Sequence, residues 1–191
     1  LHVRSRRQRQ MCIRDRSKET QEKTYESLAS SPFNKIRFCV FPKHYVYNLK
    51  EPAQYPFEIR ENSPWSPSDF ETEKLEKAPR NMFGGIDAMI ENPDEVWDYT
   101  RPNPSYFEHI ENTIARLGTM GIQADLILFH PYDRWGYSRM NLEQQNFYLR
   151  YVVNRFSAYH NVWWAMANEF DLFRWKPVSY THLTLPTTPY V

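Results

Sequence analysis

Val162-Trp163-Trp164-Ala165-Met166-Ala167 is a run of six apolar residues that ends abruptly in Asn168 and Glu169. Such a run, bounded by polar residues, predicts a strand buried on both faces, as in a parallel sheet. Asn168 and Glu169 then fall at its C-terminal end. Catalytic groups of α/β barrels gather there, because the βα loops at that end form the floor of a cleft. An Asn-Glu pair by itself is common. Its position at the end of a buried strand is what gives it weight.

The upstream pattern agrees with that reading. Lys18 to Ser30 is polar and helix-compatible, and Pro32-Phe33-Asn34 breaks it. Lys35 to Phe41 is β-branched and aromatic, hence strand-like, with Pro42 as its stop. Arg37 in its middle is either a sheet-end arginine with its head in solvent or an inward cation holding a carboxylate. Asn103-Pro104 supplies an N-cap amide and a first-turn proline. Phe107, Ile110, Ile114 and Leu117 follow as an amphipathic stripe, with Gly118 or Gly121 as the stop. Ala124 to Phe129 reads as a second buried strand, opening into His130-Pro131-Tyr132-Asp133-Arg134-Trp135-Gly136. Leu142 to Tyr159 is the next helix. Alternating helix and strand in this order predicts a parallel sheet with crossover helices.

Lys43 to Asn103 shows no strong period, apart from a short helical turn expected over Asp94 to Tyr99. It is rich in proline and in aromatics, among them Tyr55, Phe57, Trp65, Trp97 and Tyr99. A connection this long in a compact domain is either disordered or functional, and its aromatic content argues against disorder. Flat rings suit the C–H face of a sugar. They equally suit a loop stapled to the body by its own aromatics.

The two ends read as foreign. Gln10 to Asp15 can be written CAG ATG TGT ATA AGA GAC, whose reverse complement translates as Val-Ser-Tyr-Thr-His-Leu, the sequence of Val178 to Leu183. Complementary coding of two unrelated termini is expected of a sequencing-library adapter. Residues 1–16 and 178–191 are therefore set aside, leaving 17–177 as one barrel-type domain. Without six arginines and one aspartate the formal charge moves from +1 to −4, and the basic arm suited to nucleic acid or membrane disappears. Cys39 alone remains, so no intrachain disulfide forms in this part. No apolar run approaches a membrane span. Localisation stays open between secreted and cytoplasmic, and oligomeric state is not legible.

The chemistry narrows by elimination. There is no P-loop, no GxGxxG and no Gly-x-Ser-x-Gly elbow. His130 with Asp133 makes only two of the three or four ligands a metal needs, so no metal and no other cofactor is expected. What remains is a carboxylate preceded by an amide, among aromatics, histidine and arginine. That set suits glycoside hydrolysis, in which a carboxyl protonates the leaving oxygen while the amide holds the 2-hydroxyl. The plainer reading of Glu169 is a surface carboxylate at a helix start.

Trp163 to Glu169 resembles the fourth strand of the clan-A glycoside hydrolases, cellulase-like (β/α)8 TIM barrels. Leu128-Phe129-His130 is similar to their third strand, and Ile36-Arg37-Phe38 to their second. Arg101 to Ile110, with Asp133-Arg134-Trp135-Gly136, is closer still to the apiosidase-like branch. The resemblance implies an α/β fold, a partial (β/α)8 barrel covering roughly strands 2 to 4. It implies Glu169 as general acid/base and Asn168 as its 2-hydroxyl partner. His130 and Arg37 would support the site, and His44, Tyr132, Asp133, Arg134 and Trp135 would bind the carbohydrate. The family's nucleophile, a second Glu closing strand seven, has no counterpart here, since Glu22 and Glu143 lie on helices. A retaining glycosidase fragment, bacterial and itself inactive, is the expectation. A non-catalytic carbohydrate-binding barrel and a metal-dependent hydrolase are the alternatives.

Overall fold

The computed structural model describes residues 18–43, 54–66, 90, 92–131 and 134–169. Its centre is a three-stranded parallel sheet made of β1 (Lys35–Cys39), β4 (Gln123–Phe129) and β5 (Val162–Ala167), in the order β1-β4-β5. Register is continuous across it: Arg37 pairs with Asp125 and Asp125 with Trp163, while Phe129 pairs with Ala167. Helix α1 (Lys18–Ala29) precedes β1. The amphipathic helices α3 (Pro104–Thr119) and α4 (Leu142–Phe156) connect the parallel strands, as the sequence pattern predicted.

Both crossover helices begin and end for local reasons. The Asn103 side chain accepts hydrogen bonds from the Ser105 and Tyr106 amides, with Pro104 in the first turn. At the other end, Gly121 takes a φ of +71°, the Gly121 amide donates to Gly118 O and the Ile122 amide to Leu117 O. That is a Schellman closure, and it needs glycine where the backbone turns left-handed. Asn141 and Gln144 form a reciprocal capping box at the start of α4.

One face of the sheet carries Ile36, Phe38, Ala124, Leu126 and Leu128, which join Tyr106, Phe107, Ile110, Ile114 and Leu117 of α3 and Val152 and Phe156 of α4 in a single buried core. Between the helices, Arg155 donates to Glu111 at 2.9 Å and Tyr159 to the same carboxylate at 3.1 Å. The opposite face carries Arg37, Asp125 and Trp163 in its first layer. Arg37 Nη2 lies 2.7 Å from the Asp125 carboxylate, and the Lys35 ammonium lies 3.6 Å from the centre of the Trp163 ring.

Two expectations need correction. β5 is not buried on both faces: among the described strands it has one neighbour, and Trp163 is 48% exposed. The long connection also contains regular structure that its sequence did not announce. β2 (Phe57–Ile59) and β3 (Trp97–Pro102) pair antiparallel, with an irregular register between Phe57 and Glu58. The short helix α2 spans Pro93–Val96, so the stretch expected to be a helical turn is half helix and half strand. A three-residue strand has too few alternations to show a period. The stapling by aromatics is observed directly: Tyr55, Phe57, Trp97 and Tyr99 are all buried. Among the described residues no helix is long and apolar enough to cross a membrane.

Candidate functional site

The C-terminal edge of the sheet is tied together because the ladder continues one step beyond the strands. The Asn168 amide donates to Phe129 O at 3.0 Å, fixing the exit of β5 against the exit of β4. His130 follows Phe129, and Glu169 follows Asn168, so these three residues share one edge. Asn168 is half-buried and Glu169 is exposed. Glu169 has a φ of +48°, the only positive φ of a non-glycine residue among those described. That conformation costs a non-glycine residue about 1–2 kcal/mol, and strain of this kind collects at functional sites. The strand thus leaves its regular path at Glu169 through a backbone conformation that a non-glycine residue does not favour.

His130 is 2% exposed, and its Nε2 lies 3.3 Å from Phe41 O. With the proton on Nε2 the imidazole donates to that carbonyl. Burial, reinforced by the nearby Lys43 ammonium, pushes its pKa down to about 3 against the pull of the Phe41 and Pro42 carbonyls. The ring is therefore neutral at ordinary pH. Lys43 itself is buried at the exit of β1.

The remaining expected site residues separate into three groups. Arg37 is not brought to this edge. It pairs with Asp125, five residues before His130, which is roughly 16 Å along a strand. The carboxylate it holds belongs to its own sheet, and its head is half in solvent, so both readings of Arg37 hold in part. Arg134 and Trp135 are 1% and 2% exposed. The Arg134 guanidinium sits 4.9 Å from the centre of the Trp135 ring, and burial lowers its pKa to about 10, which leaves it charged. Trp135 packs against Tyr137 and accepts the Trp97 indole N–H at its carbonyl. Its flat face is turned into the protein. His44, Tyr132 and Asp133 lie outside the described residues.

Sequence reasoning missed the tyrosines that finish the strand ends. Tyr106 Oη donates to Val40 O at 2.6 Å and Tyr148 Oη to Leu128 O at 3.0 Å. No local pattern shows that either hydroxyl would meet a backbone carbonyl near the strand ends. Asp125 was also missed, being one acid inside an apolar strand. Among the described residues no three His, Cys, Asp or Glu side chains gather as a metal site would require.

A model of the apiosidase-like catalytic domain matches residues 51–184, well over half of the chain. The chain belongs to the apiosidase-like family. The matched span of this apiosidase-like domain starts after β1, so Arg37 lies before it, and it reaches past residue 177 into the segment that the codon argument sets aside. A crystal structure of a provisionally assigned glycoside hydrolase from Bacteroides vulgatus is 40% identical, with a TM-score of 0.62. The alignment covers 83% of the apiosidase-like chain and 27% of the other, so the chain spans about a quarter of that protein's length. No curated protein matches it.

Proposed function

We propose that this chain is the acid/base-bearing part of a retaining glycoside hydrolase that cleaves O-glycosidic bonds of plant or microbial oligosaccharides. The sheet is read as strands 2 to 4 of a (β/α)8 barrel. One observation carries the reading: an exposed carboxylate on a left-handed backbone, Glu169, stands directly after a half-buried amide at the C-terminal edge of a parallel sheet. Membership of a catalytic-domain family and the 40% identity to the provisionally assigned glycoside hydrolase of Bacteroides vulgatus support it.

In this reading Glu169 gives its proton to the leaving-group oxygen and later takes one from water. Asn168 holds the sugar 2-hydroxyl, a bond that strengthens as oxocarbenium character develops. His44, Tyr132 and Asp133 would contact the carbohydrate. The second carboxylate of a retaining pair belongs about 5–5.5 Å away, across the site. No described strand other than β5 presents an acid at this edge, so the chain on its own is expected to be inactive.

The test uses the longer protein of which this chain is read as a part. Glu169→Gln lowers kcat/KM for a poor leaving group by ~10²–10⁴, the usual worth of a positioned general acid. A substrate with an activated leaving group loses far less in the first step, and added azide restores turnover. Equal loss on both substrates, with no rescue, would exclude Glu169 as the acid.

A further inference from the structure

Where a parallel ladder ends, the last carbonyls lose their strand partners and must find others if they are buried. At the exits of β1 and β4 those partners are side chains. Tyr106 serves Val40, Tyr148 serves Leu128, and the His130 imidazole serves Phe41. The Phe41 peptide is enclosed from both sides. Its ring stacks on Tyr137 at 5.0 Å and on Tyr148 at 4.4 Å between centroids, and the imidazole closes over its carbonyl. Pro42 follows and donates no backbone hydrogen bond of its own.

His130 also sits where two links meet. Its backbone follows the Phe129 carbonyl that receives the Asn168 amide, and its side chain reaches back to Phe41. A single residue thereby ties the exit of β1 to the exit of β4, one bond away from the tie that sets Asn168. A sugar ligand needs an accessible polar atom. This imidazole is 2% exposed and its Nε2 already faces a carbonyl.

We infer that His130 is a positioning residue rather than a sugar ligand: as the Nε2–H tautomer it clamps the Phe41 carbonyl and so holds the exit of β1 against the edge that carries Asn168 and Glu169. Its catalytic consequence rests on the reading of Glu169 as the acid/base, but the clamp itself does not.

The decisive measurement needs no variant. Long-range ¹H–¹⁵N spectra of the histidine-labelled chain should show His130 protonated on Nε2 and bare on Nδ1. Proton on Nδ1 alone overturns the inference. Two variants then separate clamp from ligand. His130→Gln, whose amide can reach the same carbonyl, should leave the Phe41 ¹³C carbonyl resonance and the exchange of the Val40 amide close to wild type. His130→Ala should move that resonance and speed Val40 exchange about tenfold, the worth of one net hydrogen bond. If glutamine behaves like alanine, the clamp is refuted. In the longer enzyme His130→Gln keeps kcat and KM, whereas a ligand role predicts a raised KM in both variants. An inactive longer protein would sink the glycosidase reading and leave the spectroscopic result intact.

Discussion

Glu169 carries a cost that a surface residue ordinarily avoids, a left-handed backbone without glycine's freedom. Glycine at this position would relieve it. Glu169→Gly should raise the free energy of unfolding by about 0.5–1 kcal/mol, the strain recovered less the extra freedom of the unfolded chain, and urea titration measures it. A stability loss instead would mean that the carboxylate makes a structural contact. His130 gives a second expectation, in the opposite sense. Above about pH 6.5 neither the folded nor the unfolded imidazole carries a proton, and it contributes nothing. Between that value and about 3, the unfolded chain binds a proton that the folded chain refuses. Stability therefore falls as the pH falls, by up to ~1.4 kcal/mol per unit from this group. His130→Gln should flatten that part of the stability–pH curve, read from urea midpoints at pH 7, 5.5 and 4.5.

Helix α3 owes its boundaries to residues a few positions apart, so its stability can be tested at its ends. Asn103→Ala removes the acceptor for the Ser105 and Tyr106 amides and should cost about 1 kcal/mol, measured by thermal or urea unfolding. The same locality explains what could be read in advance. Asn103, Pro104, the Phe107–Leu117 stripe and Gly121 each declare a role within one or two turns, and the helix forms where they say. β4 and β5 are likewise declared by apolar runs, that of β4 interrupted only by Asp125. The Phe57–Ile59 and Trp97–Pro102 ribbon is different. Its strands are short, separated by a long stretch of chain, and held by Trp97 and Phe57 packing on Tyr137 and Phe41, contacts that no local window contains. The pairing of Arg37 with Asp125 joins residues 88 apart. Only the strand register reveals it, so an arginine expected at the site turns out to sit several residues below it. Of the proposed site residues, Asn168, Glu169 and His130 fall on one edge of the sheet, while Trp135 turns inward onto Tyr137 and Arg134 is buried beside Trp135.

At the scale of the molecule, β1 and β5 are the outer strands among those described, and parallel sheets are ordinarily covered on both faces. Trp163 marks the open face, half exposed with the Lys35 ammonium against its ring. The isolated chain should therefore self-associate as its concentration rises, and Trp163→Gln should shift that onset upward in sedimentation or light-scattering measurements. Unchanged association would mean that other apolar groups, such as Phe33, drive it. Alone, the chain should also leave aryl glycosides unhydrolysed, because the described edge supplies one acid where the retaining reaction uses two. Turnover by the isolated polypeptide would require a second carboxylate from within these 191 residues.

The left-handed turn at position 169 carries an evolutionary consequence. Drift at such a position runs toward glycine or asparagine, since either folds more comfortably there. If Glu169 is the acid, as proposed, relatives released from that role should lose it early, ahead of the tyrosines and histidine that finish the strand ends. A glutamate kept on so reluctant a backbone would then mark the lineages that still use it.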